Sequence, residues 1–148
     1  MGNESVHITR TYDALSDAVW TAITDPAAMR QWYFDISEFT PEVGFEFRFV
    51  AGTAEQKWVH LCRVTEVVTG RKLGYTWRYE GYDGISEVSF VLFPEGLKTR
   101  LTLTHTGLET FPRDRPEFAR ESFIQGWTSI LEKSLKGFVE ADPAHRIH

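Results

Sequence analysis

The residues with chemical handles fall mainly on strand-like stretches. His60 lies in Trp58-Val59-His60-Leu61-Cys62, on the face that alternation turns inward among apolar neighbours. A neutral imidazole there could hydrogen-bond a ligand, or simply find a partner within the core. Tyr75 and Tyr79 share a face with Leu73 and Trp77. Their hydroxyls could grip a carbonyl or hydroxyl group, or sit at a water boundary with the rings inside. Turnover by acid–base chemistry would need His60 or one of these tyrosines in a water-poor pocket. No acid/base pair accompanies them, because Glu38, Glu42, Glu46, Glu55, Glu66, Glu80 and Glu87 fall mostly on outward faces or turns. The expectation is therefore no catalytic residue.

Other candidates read as structural. Cys62 lacks a cationic neighbour and looks like an inert buried thiol. His105 lines up with Leu101 and Leu103 and is expected to bond a nearby backbone group. His7 stands alone on the first strand, and His145 and His148 belong to the tail. No His/Cys/Asp group has metal-ligand spacing, and no glycine-rich phosphate loop, Rossmann fingerprint or nucleophile elbow occurs. Neither a metal nor a cofactor is expected.

The elements that must position these residues run in a clear order. Val6–Tyr12 alternates as a first strand. Ser16 is expected to cap a short helix carrying Val19, Trp20 and Ile23, and Asp25 a second one that starts at Pro26 and holds Met29 and Trp32. Strands follow at Phe45–Val50, Trp58–Val68 (bulged near Glu66), about Leu73–Tyr79, Val88–Leu92 and Thr99–Thr106, joined by short turns as an antiparallel meander. Apolar residues at Phe123, Ile124, Trp127, Ile130, Leu131, Leu135, Phe138 and Val139 then mark one long helix, from about Pro116 to Glu140. At 1.5 Å per residue it would run roughly 37 Å, enough to cross a small domain. Gly126 within it is expected to let the helix approach the sheet closely. Arg113-Asp114-Arg115-Pro116-Glu117 reads as exposed capping chemistry, with a chaperone-binding loop as the rarer alternative.

Composition narrows the class. Its 148 residues suit one domain, and 42% hydrophobic with 25% charged content is an ordinary globular profile. The aromatic share of 14% suits a thick core or the walls of an apolar pocket. A net charge of −5 without a Lys/Arg run argues against nucleic acid or an anionic membrane as partner. A single cysteine excludes an intrachain disulfide and fits a reducing compartment; with no leader-like or membrane-length apolar stretch, a cytoplasmic location is expected.

The order of elements resembles the helix-grip architecture of the START-like (SRPBCC) superfamily. Ala18-Val19-Trp20-Thr21-Ala22-Ile23-Thr24-Asp25-Pro26 with Met29 and Trp32 looks like the signature of one branch, homologues of the activator of heat-shock protein 90 ATPase. Pro41-x-x-Gly44-x-x-Phe47 is similar to that branch's entry into its third strand, where many members carry two glycines in place of Val43-Gly44. Val88-x-Phe90-x-Leu92, then Gly96-x-x-Thr99-x-Leu101-x-Leu103-x-His105, resembles its final hairpin, and Gly126-Trp127 completes the likeness. In the eukaryotic co-chaperone a separate N-terminal domain precedes this one, and it is expected to be missing here because the first strand opens almost at Met1.

The resemblance implies an α+β helix-grip fold over residues 1–148: a curved antiparallel sheet of about six to seven strands around one long C-terminal helix, with two short helices after the first strand. It implies an internal cavity for apolar small molecules. The expected lining is Phe47, Trp58, His60, Tyr75, Trp77, Tyr79, Phe90, Leu103, Trp127 and Leu131. The leading expectation is non-catalytic binding of a small apolar or amphipathic ligand by a monomer or homodimer. A co-chaperone-like module acting on a heat-shock protein 90 type ATPase comes second, and a cyclase- or aromatase-like enzyme third.

Overall fold

The computed structural model describes residues 5–36, 38–52, 56–112 and 114–141. Six strands form one antiparallel sheet in the order β1-β6-β5-β4-β3-β2. They are β1 (Val6–Tyr12), β2 (Glu46–Gly52), β3 (Lys57–Val68), β4 (Lys72–Tyr79), β5 (Ser86–Glu95) and β6 (Lys98–Thr106). Between β1 and β2 lie α1 (Ser16–Thr24) and α2 (Pro26–Trp32). After β6 come two 3-10 turns, then α3 (Arg120–Ser129), a π-helical segment (Ile130–Leu135) and α4 (Lys136–Ala141) in unbroken succession. This is the expected α+β helix-grip arrangement, with β2 to β6 linked as a meander and β1 closing against β6.

Alternation sets the inward face. Phe47 and Phe49 of β2, His60 and Cys62 of β3, and Tyr75, Trp77 and Tyr79 of β4 are all buried. The bulge falls between Val64 and Glu66, where it was expected. Gly74 stands opposite it: a Cβ there would meet the Thr65 hydroxyl at 3.3 Å, so the bulge is accommodated by leaving that side chain out.

Two helix starts differ from the sequence reading. Asp25 caps α2 as expected, its carboxylate accepting from the Ala28 N–H at 3.0 Å with Pro26 behind it. Ser16, however, is already the first helical residue; Leu15 occupies the cap position and offers no side-chain acceptor. The long helix begins at Arg120, because Pro116–Phe118 forms a separate 3-10 turn that ends in extended backbone at Ala119.

The buried stripe of the long helix is Phe123, Trp127, Leu131, Leu135 and Val139, a strict spacing of four. In an α-helix each step of four overshoots a full turn by about 40°, so five such residues would spiral away from the sheet. The wider π turn advances less per residue and winds the stripe back. β1 fastens that segment. The Tyr12 hydroxyl donates to the Leu131 carbonyl at 2.8 Å, and Arg10 pairs with Glu132. Replacing the Tyr12 hydroxyl by hydrogen (Tyr12→Phe) should therefore cost about 1 kcal/mol of unfolding free energy, read by urea denaturation, with no change in far-UV spectrum.

Candidate functional site

Between the sheet and α3 lies a cavity of about 290 Å³. Trp58 and His60 of β3 and Trp77 and Tyr79 of β4 form one wall; Phe123, Trp127 and Ile130 of the helix form the other. Phe34 closes one side from the loop after α2, and Phe118 another from the 3-10 turn. Exposed Gly52, Ser122 and Gly126 mark the mouth. Outside it, Arg115 stacks over Tyr82 and Trp58, at 5.2 and 5.8 Å from the ring centres.

Hydrogen bonds set the tautomers of the two buried histidines in this region. His60 Nδ1 lies 3.0 Å from the Trp58 carbonyl, which can only accept, so Nδ1 carries the proton and Nε2 keeps its lone pair. The Trp77 indole donates to the Tyr79 oxygen at 2.9 Å, leaving the Tyr79 O–H free to turn elsewhere; it has no acceptor among the described residues. His105 adopts the opposite tautomer. The Trp127 indole N–H donates to its Nδ1 at 3.0 Å, so Nε2 carries the proton and donates to Ser86 Oγ at 2.8 Å; that hydroxyl in turn donates to the Trp77 carbonyl. Burial lowers the His60 pKa from 6.5 to about 4 and that of His105 to about 3, and pushes Tyr79 above its ordinary range. At neutral pH the cavity wall thus carries an uncharged imidazole and an uncharged phenol among aromatic rings.

Of the residues expected to line the cavity, the structure brings together Trp58, His60, Trp77, Tyr79 and Trp127. Phe47, Tyr75, Phe90, Leu103 and Leu131 lie in the packed core instead. Tyr75 is fully buried, its hydroxyl 2.6 Å from that of Tyr33. His105 bonds two side chains, not the backbone group expected of it. Cys62 is buried, and loss of solvation raises its pKa, in keeping with an inert thiol. Trp32 belongs to the core, its indole donating to the Ala22 carbonyl. Gly126 overturns its expected role: a Cβ there would meet nothing within 4 Å, so it edges the cavity mouth and serves no close packing. Phe34 and Phe118 were missed, since both sit in irregular segments where no periodicity marks a face. Arg113, Glu55, His145 and His148 lie outside the described residues. Among the described residues no cluster could hold a metal ion, and no helix is long and apolar enough to cross a membrane.

Residues 13–140 match the model of a family described as Activator of Hsp90 ATPase homolog 1-like protein. Among solved structures, protein CV1439 from Chromobacterium violaceum is 26% identical with a TM-score of 0.78, covering 94% of this chain and 99% of that one. Protein MLL2253 from Mesorhizobium loti is 27% identical, TM-score 0.76, covering 90% and 95%. CalU16 from Micromonospora echinospora is 28% identical, TM-score 0.72, covering 94% and 76%. No curated protein matches the chain.

The two buried histidines make stability acid-sensitive. Each is neutral when folded but takes a proton when unfolded below about pH 6.5, so stability is full above that pH and lost as pH falls toward 4 for His60 and 3 for His105. The slope from each should reach about 1.4 kcal/mol per pH unit. Urea titrations at stepped pH should show His60→Phe losing less stability than wild type between pH 6 and 4, the difference isolating one histidine from the carboxylates.

Proposed function

The chain belongs to the Activator of Hsp90 ATPase homolog 1-like family, and from that premise we propose that it binds a small, largely aromatic ligand without transforming it. The observation that carries this reading is the cavity of about 290 Å³ walled by Trp58, Trp77, Tyr79 and Trp127. Its volume lies near the lower end for small-molecule sites, so the occupant is a ligand of one to three rings. Indole and phenol rings supply flat apolar contact with little rotamer entropy to lose. The acceptor at His60 Nε2 and the donor at Tyr79 complement a hydroxyl on the ligand, which can donate to one and accept from the other. A single, buried cysteine is in keeping with a reducing, cytoplasmic setting.

A second reading draws on the family's description: a protein-interaction module acting on a chaperone ATPase. It needs an outer surface and no cavity. A cyclase-like enzyme would instead depend on His60 or Tyr79 as the proton-transferring group.

Gly126 separates these readings without disturbing the core. Gly126→Ala should raise unfolding free energy by about 0.5–1 kcal/mol, as for an exposed helical glycine with room for a Cβ. Gly126→Trp should fold normally and obstruct the mouth. With 2-naphthol as probe and tryptophan fluorescence as readout, wild type and Gly126→Ala should show saturable quenching and Gly126→Trp should lose it. Quenching that survives in Gly126→Trp would place the probe elsewhere and remove the support for this cavity. Native mass spectrometry of protein from its own host would then give the mass of the natural ligand.

A further inference from the structure

On the sheet face turned away from the helix, a hollow of about 560 Å³ lies over β2, β3 and β4. Arg48, Arg63 and Arg78 border it, one from each strand and all exposed. The register sets their spacing. Arg48 pairs with Leu61, and Leu61 with Arg78, so two guanidiniums flank one apolar side chain in a row across the sheet. Arg63 follows two residues after Leu61 on the same face, between Glu46 and Thr76. With strands about 4.8 Å apart, Arg48 and Arg78 are rooted about 10 Å from each other, and Arg63 completes a triangle.

The charge of this patch runs against that of the molecule, which carries 21 carboxylates against 16 Lys and Arg. Elsewhere Arg10, Lys72, Arg100 and Lys136 each sit on a carboxylate. Arg48, Arg63 and Arg78 make no ion pair with any described residue, and Glu46, which also borders the hollow, forms none with them. Clustered like charges on a rigid sheet are relieved by an incoming anion, and the guanidinium fork matches a carboxylate.

Shape and surroundings select among anions. The hollow is far larger than one carboxylate or phosphate, and half-buried Leu61 with exposed Ile85 gives it an apolar component. β2 is an edge strand, so an extended chain can reach the patch from the side. An anionic bilayer is a poorer fit, because a flat surface would meet the net negative charge of the rest of the chain. We propose that this outer face docks an extended acidic segment of a partner protein, with carboxylates on Arg48, Arg63 and Arg78 and an apolar side chain over Leu61. The site is separate from the cavity and does not depend on its occupant.

The test uses a fluorescein-labelled peptide, Glu-Leu-Glu-Glu-Leu-Glu, and its Gln-for-Glu counterpart, read by anisotropy at low and raised salt. The acidic peptide should bind saturably and weaken as salt screens the charges, while the Gln peptide should not bind. Arg48→Glu, Arg63→Glu and Arg78→Glu combined should weaken binding at least about tenfold. All three positions are exposed, so the melting temperature and the 2-naphthol response should stay as in wild type. Equal affinity in the triple variant, or no saturable binding by wild type, would overturn the proposal. Capture of phosphatidylserine vesicles in place of the peptide would overturn it in favour of a membrane.

Discussion

The indole N–H of Trp127 is the contact on which the rest of this structure turns. It is a buried donor on the helix, and its acceptor is His105 Nδ1 on β6. From there the bonds run through Ser86 on β5 to the carbonyl of Trp77 on β4. One chain of three hydrogen bonds thus ties the helix to three neighbouring strands. It works only while His105 is neutral, since a protonated ring would set two donors head to head. Burial enforces that state. Every polar atom along the chain is satisfied, so the height of the helix above the sheet is fixed and not merely favoured.

The cavity follows from that fixed height. Toward the C-terminal end of the helix, Leu131, Leu135 and Val139 pack into the core with no exposed surface. Toward the N-terminal end the facing groups are rings: Trp58, Trp77, Tyr79, Phe123 and Trp127. Large flat side chains meet edge to face, as His60 and Trp77 do at 89° and Trp77 and Tyr79 at 82°, and such packing leaves gaps that branched aliphatics would fill. Gly52 and Gly126 contribute no side chain at the rim.

One register serves both faces of the sheet. The pairing that turns Phe49, His60 and Tyr79 inward, the last two onto the cavity, also sends Arg48, Leu61 and Arg78 outward, because each group is one residue removed from the other along its strand. A slip of one residue would bury the arginines and expose the rings. The bulge between Val64 and Glu66, with Gly74 making room for it, lies beyond both groups and leaves their alignment intact.

Much of the fold could be read in the residues alone. Alternation marked the strands, Asp25-Pro26 the start of α2, and the lapse near Glu66 the bulge. His60 was placed inward by the same period of two, which depends only on local geometry. The candidate site was legible in part. Trp58, Trp77, Tyr79 and Trp127 lie on regular elements whose inward faces the pattern gives, whereas Phe34 and Phe118 reach the cavity from irregular segments that have no period to read. Which inward residues border space and which are packed solid was not written in the pattern at all: Tyr75 and Tyr79 share one face of β4, yet one meets Tyr33 in the core and the other meets the cavity. Sequence by itself determined the elements, their order and their buried faces, because these follow from backbone periodicity and side-chain polarity. Only the tertiary structure decided the tautomers of His60 and His105, the π turn under the stripe of four, and the empty volume, because each depends on how far apart packing holds groups distant in the chain.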